Sequence, residues 1–202
     1  MITSMCNSYK HTIVITNRHL VQGDFLKQLA KVTKLHPHAL ILREKDLTDD
    51  AYESLAKKVF DLCEREDITF FLHTKIEIAR KIGCQNIHLS IPVLKGLSET
   101  EKKALTEDFC EISISCHSME DVEIAMAGGA TQIILGTIFE TECKKGVLGK
   151  GVEFVREICQ KCPLPVYAIG GMNLQRLPLV IDAGAAGCCM MSGFMQTTKP
   201  LQ

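Results

Sequence analysis

Glu111-Ile112-Ser113-Ile114-Ser115-Cys116-His117-Ser118-Met119-Glu120-Asp121 decides how this chain folds. Its first five residues alternate apolar and small polar side chains, the pattern of a buried strand. Ser118 then reads as a helix N-cap, with Glu120 and Asp121 in the first turn where the helix dipole favours acids. Strand and helix follow one another with almost no connection, which makes a βα unit. The same unit recurs in both directions along the chain. Upstream, the strand candidates are Thr12 to Thr16, Ala39 to Arg43, Ile68 to Leu72 and Asn86 to Leu89. Downstream they are Gln132 to Leu135, Pro165 to Ile169 and Ala186 to Met191.

Helical stretches lie between them. Asp24 to Leu35, Ile76 to Ile82 and a segment from Gly151 are three. Another, Asp49 to Arg65, puts Tyr52, Leu55, Ala56, Val59, Phe60 and Cys63 on one face at helical spacing. Glu99 to Asp108 is preceded by Ser98 with Glu101 three residues on, the capping-box form. Asn173 is a candidate cap for the helix after the seventh strand. Eight short, mostly buried strands alternating with helices predict a parallel sheet. Closing that sheet leaves no exposed edge, so the expected fold is a single (β/α)8 TIM barrel over residues 1–202, its last helix truncated. The alternative is an open, doubly wound sheet.

Bulk properties narrow the function. The chain has 202 residues, 46% hydrophobic and 23% charged, with 23 Lys and Arg against 24 Asp and Glu. That balance supplies no global field for nucleic acid or an anionic membrane, so an anionic ligand needs local groups. The first ten residues lack the form of a signal peptide, and no apolar run reaches membrane-helix length, so a cytoplasmic location is expected. Ten cysteines invite a disulfide or zinc reading. The CxxC at Cys159 and Cys162 has no second pair at metal-binding spacing, which favours reduced cysteines used as small hydrophobes.

Chemistry in such barrels sits at the C-terminal strand ends. Gly170 and Gly171 after the seventh strand, with Met191, Ser192 and Gly193 after the eighth, suit a phosphate site, although paired tight turns would look the same. The unusually long stretch from Gly136 to Lys150 carries Thr141, Cys143 and Lys144, fit to close over an anion or simply a solvated charged loop. His117, beside a helix N-terminus, is an acid/base candidate or a capping residue. His73 and His88 end the third and fourth strands, and Arg43 and Lys45 bring positive charge after the second.

Taken together, four segments resemble the thiamine-phosphate synthase/TenI family over nearly the whole chain. They are Leu42-Arg43-Glu44-Lys45-Asp46-Leu47, Cys116-His117-Ser118-Met119-Glu120-Asp121, Gly136-Thr137-Ile138-Phe139-Glu140-Thr141 with Lys144-Lys145-Gly146, and Ala168-Ile169-Gly170-Gly171-Met172-Asn173. The resemblance implies a barrel that handles thiazole phosphate in thiamine biosynthesis. Synthases of the family join a pyrimidine pyrophosphate to that ester with magnesium. Where their pattern has Gln before the Arg-x-Lys segment, this chain has Ile41. Where it has Asn-Asp after strand three, His73 and Thr74 stand. Where it has a second Asp after strand four, the chain runs Ser90-Ile91-Pro92-Val93. Magnesium takes hard oxygen ligands, so these departures favour the TenI-like thiazole tautomerases, which need no metal or other cofactor.

On that reading the chain is an isomerase. By resemblance His117 is its acid/base, and the substrate phosphate rests on Gly170, Gly171, Met191, Ser192 and Gly193. Thr141 and Lys144 cover the phosphate, Arg43 and Lys45 add substrate contacts, and His73 and Cys143 are further candidates. The alternatives are a thiamine-phosphate synthase, a magnesium-dependent transferase, and a silent thiazole-phosphate-binding regulator. The partner implied is a small phosphorylated thiazole, with no nucleic acid and no membrane. Barrels of this type often associate, and the sequence leaves the oligomeric state open.

Overall fold

Each strand of this chain is buried on both faces, and that follows from where its two sets of alternate side chains go. The computed structural model describes residues 9–141, 146 and 148–196. The strands are β1 (Thr12–Ile15), β2 (Ala39–Leu42), β3 (Thr69–His73), β4 (Asn86–Ser90), β5 (Glu111–Cys116), β6 (Gln132–Gly136), β7 (Val166–Ile169) and β8 (Gly187–Met190). They pair in parallel and in sequence order, and β1 pairs with β8 to close the barrel. Around it run α1 (Phe25–Thr33), α2 (Asp49–Arg65), α3 (Ile76–Ile82), α4 (Ile91–Gly96), α5 (Glu99–Asp108), α6 (Met119–Ala127), α7 (Gly151–Lys161), α8 (Leu177–Asp182) and α9 (Ser192–Met195).

Strand side chains alternate between the two faces. Ile13, Ile15, Ala39, Ile41, Phe71, Ile134, Tyr167 and Cys189 fill the barrel interior as one cluster. Their neighbours Val14, Leu40, Leu42, Leu72 and Ile133 face outward and pack with the helices in a second, larger cluster. Tyr52, Ala56, Val59 and Cys63, the face expected of α2, are buried in it. The Tyr52 hydroxyl donates to the Leu42 carbonyl (2.6 Å) and accepts from the His73 N–H (3.2 Å), tying the ends of β2 and β3 together. Of the described cysteines, Cys63, Cys84, Cys116, Cys162, Cys188 and Cys189 are buried free thiols, and burial pushes Cys63 up to about 12.

Two local expectations need correction, and one helix went unread. Residues 91–96 form a helix, α4, because Pro92 sits in its first turn, where the missing N–H costs nothing. Asn173 caps the turn before α8 and not α8 itself: its side chain accepts from the Arg176 N–H at 2.9 Å, and the helix begins at Leu177. The eighth strand is shorter than Ala186 to Met191, ending at Met190 so that α9 can open at Ser192. No helix among the described residues is long and apolar enough to cross a membrane.

Candidate active site

A closed parallel barrel gathers all eight C-terminal strand ends on one face, and the described side chains singled out above sit there. Arg43 follows β2 directly and is half-buried, while Lys45, two residues on, is exposed. His73 is the last residue of β3, and His117 is the first after β5. Thr141 lies half-buried in the connection after β6. Gly170 and Gly171 follow β7, Met191 follows β8, and Ser192 and Gly193 open α9. Cys143 and Lys144 lie outside the described residues.

The turn that carries Arg43 and Lys45 is fixed from beneath. Glu44 is only 2% exposed. Its carboxylate accepts from the Thr16 hydroxyl at 2.7 Å, the Arg18 N–H at 3.0 Å and the Arg18 guanidinium at 3.1 Å. The Thr16 hydroxyl in turn accepts from the Arg43 N–H at 2.9 Å. Arg18 also binds Asp46 and holds that carboxyl well below the usual range. Every oxygen of Glu44 is thus committed to the loops, and the two cations stand on either side of it.

Beside this turn the barrel interior becomes polar. His88 of β4 is buried, with Nδ1 2.9 Å from the Ser113 hydroxyl and Nε2 2.8 Å from that of Ser115. Its ring centroid is 5.6 Å from that of His73. Burial, and then the nearby Arg43 and Lys45, push His73 down to about 4. Burial, then His73 and Arg43, push His88 down to about 3. Both imidazoles are therefore neutral near pH 7.

His117 is placed by its neighbours. Its N–H donates to Asp121 Oδ2 at 2.7 Å, and Ser118 caps α6 by accepting from the Asp121 N–H at 3.1 Å. Its Nδ1 lies 2.5 Å from the Gly136 carbonyl oxygen. A carbonyl can only accept, so Nδ1 carries a proton and Nε2 is the ring nitrogen left to exchange one with a ligand. Nε2 has no partner among the described residues.

On the opposite side, Gly170 (φ +103°) and Gly171 (φ +60°) lie in the left-handed region. A Cβ on Gly170 would come 2.5 Å from Thr137 Cγ2, and one on Gly171 2.6 Å from the Glu140 carbonyl. Tight packing against the loop after β6 therefore already requires both glycines. Gly193 differs: a Cβ there would meet nothing within 4 Å, so no packing contact calls for glycine at that position. The N–H groups of Phe194 and Met195 donate to the Met191 carbonyl at 3.1 and 3.0 Å, which leaves those of Ser192 and Gly193 at the start of the helix. A groove elsewhere on the outer surface, lined by Leu26, Ala30, Lys58, Leu62 and Arg65, lies between α1 and α2 and holds none of these groups.

This geometry can be set beside known proteins. The family model for thiamine monophosphate synthase matches residues 12–194. The chain belongs to that family. A thiamine-phosphate synthase of Coprothermobacter proteolyticus is 31% identical over 180 residues, 89% of this chain and 84% of the relative. A putative thiamine-phosphate synthase 2 of Aquifex aeolicus is 29% identical, over 90% of this chain and 96% of the relative. The solved thiamine phosphate pyrophosphorylase of Pyrococcus furiosus superposes with a TM-score of 0.81, covering 95% of this chain and 90% of its own at 22% identity, a likeness of fold.

Within this thiamine monophosphate synthase family barrel, two contributors to the site escaped the sequence reading. One is the Thr16–Glu44–Arg18 network, whose parts lie 26 to 28 residues apart and carry no joint signal. The other is Lys150, whose ammonium donates to the His117 carbonyl and lies 4.6 Å from the Phe154 ring centroid. In the sequence it reads only as the end of a long loop.

Proposed function

We propose that this family member is a thiazole tautomerase: it binds a carboxythiazole phosphate at the barrel mouth and moves a proton within it. The observation that carries this reading is the donor set at the ends of β3 and β4. His73, Thr74 and Ser90 stand there, with Arg43 and Lys45 raising the potential around them. Magnesium requires hard, anionic oxygen ligands. One neutral imidazole, two hydroxyls and two cations do not fit it, and the nearby Glu44 is spent on Thr16 and Arg18. Among the described residues no group of three His, Cys, Asp or Glu is placed to hold a metal ion.

Proton transfer needs what the rest of the mouth offers. Nε2 of His117 takes a proton from the substrate and returns one at the exocyclic carbon, so the exocyclic double bond moves into the ring. The net change is an isomerisation, and gaining an aromatic ring drives it. The phosphate rests against Gly170, Gly171, Ser192 and Gly193, with Met191 beside it and Thr141 over it. Arg43 and Lys45 face the other end of the ligand. An imidazole is suited to both halves of this transfer near neutral pH.

The second reading, thiamine-phosphate synthase, is favoured by the names of the relatives above, which speak for a transferase that couples a pyrimidine pyrophosphate to thiazole phosphate. Two assays separate the readings. The first supplies the exocyclic tautomer without metal: isomerisation that falls at least 100-fold in His117→Ala, about the contribution of a general acid/base, supports the tautomerase. An unchanged rate in His117→Ala sinks it. The second supplies both synthase substrates with magnesium, and release of pyrophosphate with formation of thiamine phosphate would install the transferase in its place.

A further inference from the structure

His117 is gripped from both ends of one loop. Its Nδ1–H donates to the carbonyl of Gly136, the last residue of β6, from which the loop departs. Its own carbonyl accepts from the ammonium of Lys150, which ends the loop and precedes α7. The two loop ends are tied to each other, Lys150 N–H to the Thr137 carbonyl at 3.0 Å and Gly151 N–H to the Ile138 carbonyl at 2.9 Å. A Cβ at Gly149 would come within 2.5 Å of the Ile138 carbonyl, so the clasp closes only with glycine there.

The first residues of the same loop run along the phosphate side of the mouth. The Ile138 N–H donates to the Ile169 carbonyl (2.9 Å) and the Phe139 N–H to the Gly170 carbonyl (3.1 Å). Arg176 stacks on Phe139, 4.5 Å from its centroid, and donates to the Gly171 carbonyl. One continuous set of contacts thus joins Gly170 and Gly171 after β7 to the imidazole after β5 along the rim of the mouth, through the end of β6 between them, and Lys150 is its only exposed side-chain link to His117 among the described residues.

We propose that Lys150 is a positioning residue that locks His117 in register with the Gly170–Gly171 turn, so that a ligand anchored by its phosphate meets Nε2 at a fixed place. The proposal rests on the proton-transfer reading above. Lys150 itself need not touch the substrate. The ammonium fixes the peptide after His117, as Asp121 fixes the one before it and Gly136 the ring, and freeing one of the three lets the imidazole drift. Small misplacements of a reacting group are costly in rate and not in binding.

Lys150→Met keeps an aliphatic stem over Phe154 and removes the charge, and Lys150→Arg restores it. With the exocyclic tautomer as substrate, Lys150→Met should lower kcat roughly tenfold to a hundredfold at nearly constant KM, and Lys150→Arg should recover most of the loss. Nitrogen-15 spectra of the His117 ring in the free protein should shift from the Nδ1–H form toward a mixture of tautomers in Lys150→Met. A raised KM at unchanged kcat would make Lys150 a substrate ligand and overturn the proposal. Unchanged kinetics with an unchanged ring spectrum would also overturn it. Should the wild-type protein fail to isomerise the tautomer, the functional reading falls, and the ring spectrum alone decides the role of Lys150.

Discussion

His88 shows what single residues cost and contribute in this barrel. Unfolded, its imidazole titrates near the ordinary value of about 6.5, but in the fold burial drives it down to about 3. Between those values the unfolded chain binds the extra proton, so stability falls as the pH falls from about 6.5 toward 3. The slope per imidazole reaches about 1.4 kcal/mol per pH unit, and His73, pushed down to about 4, adds to it over its own window. Urea unfolding at pH 7.5 and pH 5 should show this acid loss, with a shallower loss in His88→Gln. Equal slopes in the two proteins would mean that His88 is not held neutral.

The glycines offer a second contrast at the same scale. Gly170→Ala should destabilise by about 1–3 kcal/mol, since the residue has φ +103° and its Cβ would press on Thr137. Gly193→Ala should leave stability within about 0.5 kcal/mol, because its Cβ meets only open space. If the proposed phosphate position is right, it should weaken binding of thiazole phosphate all the same, by adding a methyl group beside the ester. Melting curves and titration calorimetry on the two variants separate a structural glycine from a ligand-facing one. Equal behaviour would remove the phosphate role from Gly193. Both glycines were visible in the sequence as candidates, but their difference was not, because it depends on which backbone crosses in front of them.

Among the elements, helix starts were the most legible feature, and the reason is local chemistry. Ser98 and Glu101 satisfy each other's backbone N–H groups at the start of α5, as their three-residue spacing implies. Ser98→Ala should therefore cost about 1 kcal/mol, read as a drop in urea midpoint with unchanged slope. A midpoint equal to wild type would show that the box contributes nothing. Ser118 makes the same kind of cap on α6, and Asp121, which it holds, also accepts from the His117 N–H. There the element and the site share a hydrogen bond, which is why the strand–His117–cap segment could be read as both. Less legible were α4, where Pro92 hides a helix start, and the turn after β7, where Asn173 caps residues short of α8. In both, a turn residue gave the position of a break without its type.

Across the whole molecule the closed barrel could be read because every strand carries an apolar face for the helices, and all but β4 and β5 carry a second one for the interior cluster. The polar floor of the mouth could not. His88 meets Ser113 and Ser115, and Glu44 meets Thr16 and Arg18, only through strand registers that one chain does not display. The consequence for ligand binding is a molecule-wide one. An ester anchored where β7 and β8 end should bind the folded barrel alone, stabilising it by about 2.7 kcal/mol at one hundred times its dissociation constant. For a chain of this size that corresponds to a rise in Tm of about 5–10 °C. Hydroxyethylthiazole phosphate should produce it without added metal, and the unphosphorylated alcohol at the same concentration should produce far less. Equal shifts from ester and alcohol would move the anchor away from Gly170, Gly171 and the α9 amides, because only the ester carries the charge that the proposed anchor uses.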